Sequence, residues 1–285
     1  KDYISFYGQS KGISIDLVGN TITGDWGTDI ISSVETIYSG DGDDTIVGST
    51  SDNILSGNSG SDIIYGGAGN NSLWGGYGDD TIYSGTGNDL IYGSSGKDKI
   101  NVNGGENKVY AGYNSDEIIV NSGTNSIYGD SSADDITIKD GNNTVYGGSS
   151  ADEITIEDGD NTVYGDSSAD EITVEGGSNT IYGGTSADEI DMRSQSTNIV
   201  YGGTSDDTFI FNYTGDDNTT VIKDFENNID TIVIHTSGLT AAQVLAAATE
   251  QDDDVLIKAA SGGLDLLIEN ATKAQLVNDI TIESL

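Results

Sequence analysis

Cysteine and proline are both missing from this 285-residue chain, histidine occurs once, and Lys plus Arg number only 10. Without Cys there is no disulfide framework, no thiolate metal site and no thiol nucleophile. Against 48 Asp and Glu the formal net charge is −38. That leaves no basic surface for nucleic acid or for an anionic membrane. With His235 as the only histidine, no zinc-protease helix motif can be assembled, and this residue reads as a strand-end or cap residue. No G-x-S-x-G elbow and no phosphate loop is present. No apolar run approaches the roughly 18 residues of a membrane span, and no signal peptide is visible. The opening at Lys1, with no initiator Met, leads to the expectation of preceding sequence in which such a signal could lie. Taken together, these absences point away from an enzyme.

Chains this acidic and this poor in aromatics are ordinarily disordered. Here, however, Ile, Val, Leu and Tyr recur at a fixed period, so the expectation is a chain that compacts once cations neutralise it. A nine-residue frame set at Ser39 runs without slippage to Val200, giving eighteen nonapeptides. Its eighth position is aliphatic every time, from Ile46 and Leu55 through to Ile190 and Ile199. The sixth position alternates. Odd repeats carry Asp44, Asp62, Asp80, Asp98, Asp116, Asp134, Asp152, Asp170 and Asp188. Even repeats carry Asn53, Asn71, Asp89, Asn107, Asn125, Asn143, Asn161, Asn179 and Thr197.

The structural unit is therefore a coil of 18 residues, two nonapeptides with two short strands and two turns. The Asp turn lies on one edge and the Asn turn on the other. Glycine stretches such as Gly75-Gly76-Tyr77-Gly78 supply left-handed turn residues, and strands such as Thr81-Ile82-Tyr83 alternate outward and inward. One coil buries almost nothing, so stability is collective. The predicted fold is all-β: a parallel β-roll, or β-solenoid, of such coils with a small C-terminal capping region.

Stacking in register places the Asp carboxylates in one column about 4.8 Å apart. Two like charges at that spacing repel by about 1 kcal/mol in water and by several at a protein-like dielectric. Further acids project outward at Glu117, Asp135, Glu153, Glu171 and Glu189, with no Lys or Arg column opposite. A solvated acidic face accounts well for those outward acids and poorly for the Asp column, which sits inside tight turns. A hard divalent cation between successive Asp turns would relieve the repulsion, taking carboxylates and the carbonyls of a glycine loop.

Ser39-Gly-Asp-Gly-Asp-Asp-Thr-Ile-Val47, Gly75-Gly-Tyr-Gly-Asp-Asp-Thr-Ile-Tyr83 and Ser84-Gly-Thr-Gly-Asn-Asp-Leu-Ile-Tyr92 resemble the hemolysin-type (RTX) repeat, G-G-x-G-x-D-x-U-x. The resemblance covers residues 39–200. It implies Ca²⁺ between successive same-edge turns, held by Gly40, Gly42, Asp44, Gly60, Asp62, Gly76, Gly78, Asp80, Gly96 and Asp98, and by Gly85, Gly87 and Asp89 on the other edge. The column continues as Asp116, Asp134, Asp152, Asp170 and Asp188. It also implies a secreted protein of a Gram-negative bacterium, exported by type I secretion machinery and folding on meeting extracellular calcium. The sequence departs from the pattern in two ways. On the Asp edge the fourth-position glycine becomes Asn114, Ser132, Ser150, Ser168 and Ser186. On the Asn edge the carboxylate survives only at Asp89, and from Val102 the first two glycines give way to pairs such as Val120-Asn121 and Ile138-Lys139. Those strands should be longer and bury two side chains, and the Asn column should form a side-chain amide ladder in place of calcium.

Residues 1–38 read as opening turns of the solenoid, with Ile13 to Val18 alternating like an outer strand, and 39–200 as the calcium-binding roll. Residues 201–285 read as a C-terminal cap, the period stopping after Asp207. Within it Leu239 to Glu250 is predicted helical with Thr240 as N-cap, and Val255 to Lys258 and Leu264 to Ile268 are predicted strands about a turn at Ser261–Gly263. The tail from Asp279 to Leu285 resembles a type I secretion signal. Tyr92, Tyr110, Tyr128, Tyr146, Tyr164 and Tyr182 form an outward column, beside Thr144, Thr162 and Thr180 on the same strand and Thr137, Thr155 and Thr173 on the opposite one. Cross-strand packing explains these columns, and so does a repetitive surface for carbohydrate, ice or a neighbouring subunit.

Three functions are open at this stage: the non-catalytic folding and structural module of a surface-layer or adhesin-type protein, which the long regular roll favours; the secretion module of an exported protease or lipase; and a ligand-binding solenoid. The partners that follow are calcium, the secretion machinery, and either self-association or a cell-surface ligand.

Overall fold

Inward side chains of the repeat strands are aliphatic and their neighbours polar, so each coil can bury its strands only by lying against the next coil. The computed structural model, which describes residues 2–193, 196–212, 218–236, 240–258 and 264–283, shows this arrangement. The protein is a parallel β-solenoid with a single short helix among the described residues. Two compact units make up the chain, Lys1–Thr144 and Val145–Leu285.

In the first unit one sheet runs through Val34–Tyr38, Ile54–Ser59, Ser72–Tyr77, Leu90–Ser95, Lys108–Tyr113 and Ser126–Ser131. The facing sheet runs through Thr45–Val47, Ile63–Tyr65, Thr81–Tyr83, Lys99–Val102, Glu117–Val120 and Asp135–Ile138. All these neighbours are parallel and an 18-residue step apart, Ile82 lying between Ile64 and Ile100. Ile46, Ile64, Ile82, Ile100 and Ile118 from one sheet meet Leu55, Leu73, Ile91 and Val109 from the other, all fully buried. The lengthening at Val102 is present: Thr81–Tyr83 has three residues, Lys99–Val102 has four, and Val102, Val120 and Ile138 are buried. At the N-terminal end Ser14–Asp16 pairs in parallel with Thr45–Val47, and its other edge is closed by the antiparallel strands Thr21–Gly24 and Gly27–Ile30. Ile13, Ile15 and Leu17 are its inward face.

The second unit repeats the plan, with Thr162–Ser167, Gly177–Thr185 and Ser196–Thr204 in one sheet and Glu153–Ile156, Glu171–Val174 and Glu189–Met192 in the other. Here the nine-residue frame slips, contrary to the unbroken reading to Val200. Asn179 pairs with Asn198 and Ile181 with Val200, a step of 19. Val200 is therefore the buried residue, Ile199 is 40% exposed, and Asn198 rather than Thr197 occupies the Asn column. The step is 18 as far as Met192, which pairs with Val174, and 19 from Ser196, which pairs with Gly177, so both strands keep their pairing.

Beyond Asp207 the sequence period ends while the parallel winding continues. Thr208–Asn212 pairs with Glu189–Met192, Thr231–His235 with Thr208–Asn212, and Ile280–Glu283 with Thr231–His235. Asn218–Ile222 and Leu264–Ile268 extend the other sheet, and Asp254–Lys258 and Thr249–Gln251 close it antiparallel. The helix is Ala241–Ala247, with a capping box between Thr240 and Gln243. His235 ends its strand, hydrogen-bonded to Asn212 and Glu283. Leu239, the Ser261–Gly263 turn and the last two residues of the tail lie outside the described residues.

Candidate metal centre

The Asp turns are built alike from coil to coil. In the first unit the backbone N–H of each Asp donates to Oδ1 of the Asp one coil further on: Asp44 to Asp62 at 2.7 Å, Asp62 to Asp80 at 2.8 Å, Asp80 to Asp98 at 2.9 Å and Asp98 to Asp116 at 2.7 Å. The second unit does the same from Asp152 to Asp170, Asp170 to Asp188 and Asp188 to Asp207. One oxygen is thereby used. The other, Oδ2 of Asp62, Asp80, Asp98, Asp116, Asp170, Asp188 and Asp207, is buried and receives no hydrogen bond. Asp44 stands apart, because Ile13 N–H and Gly40 N–H satisfy its two oxygens separately.

A buried carboxylate oxygen without a donor is costly, and burial is the main cause that displaces these groups. It pushes the carboxyl of Asp62 up to about 7, Asp80 to about 8, Asp98 to about 6 and Asp116 to about 7. Backbone hydrogen bonds pull each of them down, and neighbouring carboxylates in the column raise Asp62, Asp80 and Asp116 further. In the second unit Asp170 rises to about 8, and Asp188 and Asp207 to about 6, again chiefly through burial. A hard cation stabilises the charged form of such a group where a proton would otherwise sit.

No cluster of three or more His, Cys, Asp or Glu side chains that could hold a metal by themselves occurs among the described residues. Carbonyls must complete any shell, and the turns supply them. A Cβ placed on Gly60, Gly78 or Gly96 would stand 2.5, 2.0 or 1.9 Å from the carbonyl oxygen of Gly42, Gly60 or Gly78 one coil earlier. The Asn edge shows the same closeness, with Gly85 and Gly87 against the carbonyls of Gly67 and Gly69. Close glycine stacking is thus a property of both turns, and the carboxylate is what sets the Asp edge apart. The donor set of paired carboxylates and turn carbonyls is what Ca²⁺ takes.

Where glycine is lost on the Asp edge, the backbone keeps its path. Asn114, Ser132, Ser150, Ser168 and Ser186 all hold positive φ, between 76° and 113°, in the positions equivalent to Gly60, Gly78 and Gly96. Of the other glycines expected to contribute, Gly76 lies in the strand Ser72–Tyr77, where a Cβ would meet the Asn58 carbonyl at 2.1 Å, and Gly40 lies just past the strand Val34–Tyr38, its N–H donating to Asp44 Oδ2. Sequence reading overlooked Gly57, Gly75 and Gly93. A Cβ there would strike Oδ2 of Asp62, Asp80 or Asp98 at 2.1 to 2.5 Å. The recurrence of glycine at the first position of odd repeats was the available signal.

On the Asn edge the side chains bond to one another. Asn107 Nδ2 donates to Asn125 Oδ1 at 2.8 Å and Asn125 Nδ2 to Asn143 Oδ1 at 2.7 Å. In the second unit Asn161 Nδ2 donates to Asn179 Oδ1 at 3.1 Å, and Asn179 Nδ2 to Asn198 Oδ1 at 3.3 Å. The same amides also donate to turn carbonyls, as Asn107 does to Asn103 and Asn125 to Ser122. Those carbonyls therefore already accept an N–H. Asp89, the one carboxylate in the sixth-position column of this edge, has a buried Oδ2 without a partner and is raised by burial.

The fold and this site define a calcium-binding repeat protein of the β-roll type. A model of the RTX calcium-binding nonapeptide repeat matches residues 38–73, 74–109, 110–137, 139–163 and 155–190, more than half of the chain. The chain belongs to that family, and calcium is its ligand. No curated protein matches it. Among solved structures, the extracellular lipase LipA from Serratia marcescens aligns at 13% identity and a TM-score of 0.28, over 87% of this chain and 40% of the lipase.

Proposed function

We propose that the chain is the calcium-dependent structural module of an exported bacterial surface protein, of the surface-layer or adhesin type. In this reading residues 39–200 are the calcium roll, 1–38 its opening turns, and 201–285 a cap ending in a type I secretion signal. Asp62, Asp80, Asp98 and Asp116 are the principal ligands, with the turn carbonyls of Gly42, Gly60 and Gly78. The observation that carries it is the run of buried carboxylates Asp62, Asp80, Asp98 and Asp116, each with one oxygen that no protein donor reaches. A ladder repeated coil after coil supplies one ion site per step, which favours a structural role.

The test is a calcium titration of the purified chain, followed by circular dichroism and hydrodynamic radius, with bound ions counted. Chelator should leave the chain expanded, and millimolar Ca²⁺ should compact it with the appearance of β-structure. Sedimentation in the same buffers should show assembly above that calcium level. A chain equally compact in chelator, with no ion bound on addition, would overturn the calcium role. A strictly monomeric calcium-loaded protein with no affinity for cell envelopes would overturn the surface-layer or adhesin part.

A further inference from the structure

The outward aromatic column of the first unit is interrupted at one coil. Tyr110 stacks on Tyr128, Tyr92 on Tyr110 and Trp74 on Tyr92, with centroids 4.9, 5.1 and 5.8 Å apart and planes within 13° of parallel. Each inner ring is therefore covered on both faces. Trp74 is covered on one. In the coil before it the same row holds Ser56, which pairs directly with Trp74, and in the coil before that Tyr38, which pairs with Ser56, so one ring is missing between Tyr38 and Trp74. A groove of about 520 Å³ opens over that gap, within the roughly 300–1,000 Å³ of small-ligand sites.

The groove's chemistry is mixed in a definite way. Trp74, Tyr77 and Tyr7 supply aromatic surface, Tyr77 being 72% and Tyr7 93% exposed. Asn58, Ser95 and Asp41 bring an amide, a hydroxyl and a carboxylate to the same space. The positive φ of Asn58, Gly76 and Ser94 turns three successive strands at the same point, next to the aromatic row. No Lys or Arg lines the groove, and the chain's charge of −38 opposes an anionic ligand. What fits is a neutral molecule with one apolar face to lie on an indole and many hydroxyls to meet amide, hydroxyl and carboxylate groups.

We propose that this groove binds a neutral saccharide, one sugar ring stacking on the uncovered face of Trp74 in the place left by Ser56. This goes beyond the calcium-roll reading and uses none of its ligands. A quaternary ammonium is the competing occupant of an aromatic site with a carboxylate. The density of hydroxyl and amide groups favours the sugar.

The test uses the full chain in saturating Ca²⁺ on an array of neutral hexose and N-acetylhexosamine oligomers, with hits titrated by tryptophan fluorescence and calorimetry. Trp74→Ala should weaken binding at least tenfold. Ser56→Tyr should abolish it while leaving the calcium-induced dichroism unchanged, because it gives this row the residue that the rows of Tyr92, Tyr110 and Tyr128 already have. That second variant separates occupancy of the groove from loss of fold. The proposal is overturned if no neutral glycan binds at millimolar concentration, if Ser56→Tyr binds as well as the native chain, or if tetramethylammonium binds where the glycans do not.

Discussion

Ser132, Ser150, Ser168 and Ser186 carry a β-carbon at φ of 96°, 113°, 90° and 98°, in the turn position where Gly60, Gly78 and Gly96 stand in earlier coils. A non-glycine residue held there costs on the order of 1–3 kcal/mol. Restoring glycine relieves that strain but frees the unfolded chain by about 0.4–1 kcal/mol. Ser168→Gly should therefore stabilise the calcium-loaded protein by roughly 1 kcal/mol, seen as a higher melting temperature; a lower one would show that the serine hydroxyl contributes more than its strain costs. Asp80→Asn should act in opposite senses with and without metal. An amide at this buried position needs no proton to stay neutral, whereas the carboxyl, with a pKa of about 8, must hold one; the change relieves the metal-free fold but removes a carboxylate from the proposed shell. The expected result is a chelated variant at least as structured as the native chain, with fewer bound ions and a smaller gain on adding calcium.

The two edges of the roll solve the same backbone problem differently. On the Asn edge Asn125 Oδ1 accepts from the Asn107 N–H and from Asn107 Nδ2, and its own Nδ2 goes on to Asn143. Asn125→Ala would strand a buried N–H, which costs about 1–3 kcal/mol. Denaturant melts should register that loss while the calcium count stays unchanged; a fall in bound ions would make the Asn edge a metal edge. This edge was legible in the sequence because identity and period coincide: Asn at every second sixth position except Asp89 and Thr197, and an added aliphatic two residues beyond Ile100, Ile118 and Ile136. The slip before Asn198 was not legible, since Ile199 and Val200 are both aliphatic and only strand pairing tells which one turns inward. Nor was the winding past Asp207. There the parallel strands persist through backbone hydrogen bonds while connecting segments of unequal length erase the period. At the Asp turns the sequence marked the carboxylates and the fourth-position glycines. Gly57, Gly75 and Gly93 recur at the first position of odd repeats, but which carboxylate oxygen turns toward them is seen only in the structure.

For the molecule as a whole, protons and calcium should substitute for one another. Asp62, Asp80, Asp116 and Asp170 have folded pKa values of about 7 to 8 against an ordinary 3.8, so the metal-free fold binds protons that the unfolded chain has released. Stability of that fold is then highest toward pH 4 and falls as pH rises through 7 and 8. Chelated protein should gain β-structure on acidification from pH 8 to pH 5, and the stabilisation brought by calcium should be largest at the alkaline end. Flat behaviour across that range would mean that the carboxylates are solvated in the metal-free chain and that burial is not what raises them.

The alternation of Asp and Asn turns also sets the grammar by which a gene for such a chain can lengthen or shorten. Loss of a whole coil, such as residues 81–98, brings like edges together and leaves both ladders continuous. Loss of half of one, such as residues 81–89, joins an Asp turn to the Asn column and an Asn turn to the Asp column in every coil downstream. Both deletions preserve the nine-residue pattern of aliphatic side chains, yet only the first preserves the pairing of carboxylate with carboxylate and amide with amide. Variation in length among descendants of this sequence should therefore run in steps of two nonapeptides, with odd steps removed by selection although each is the simpler copying error.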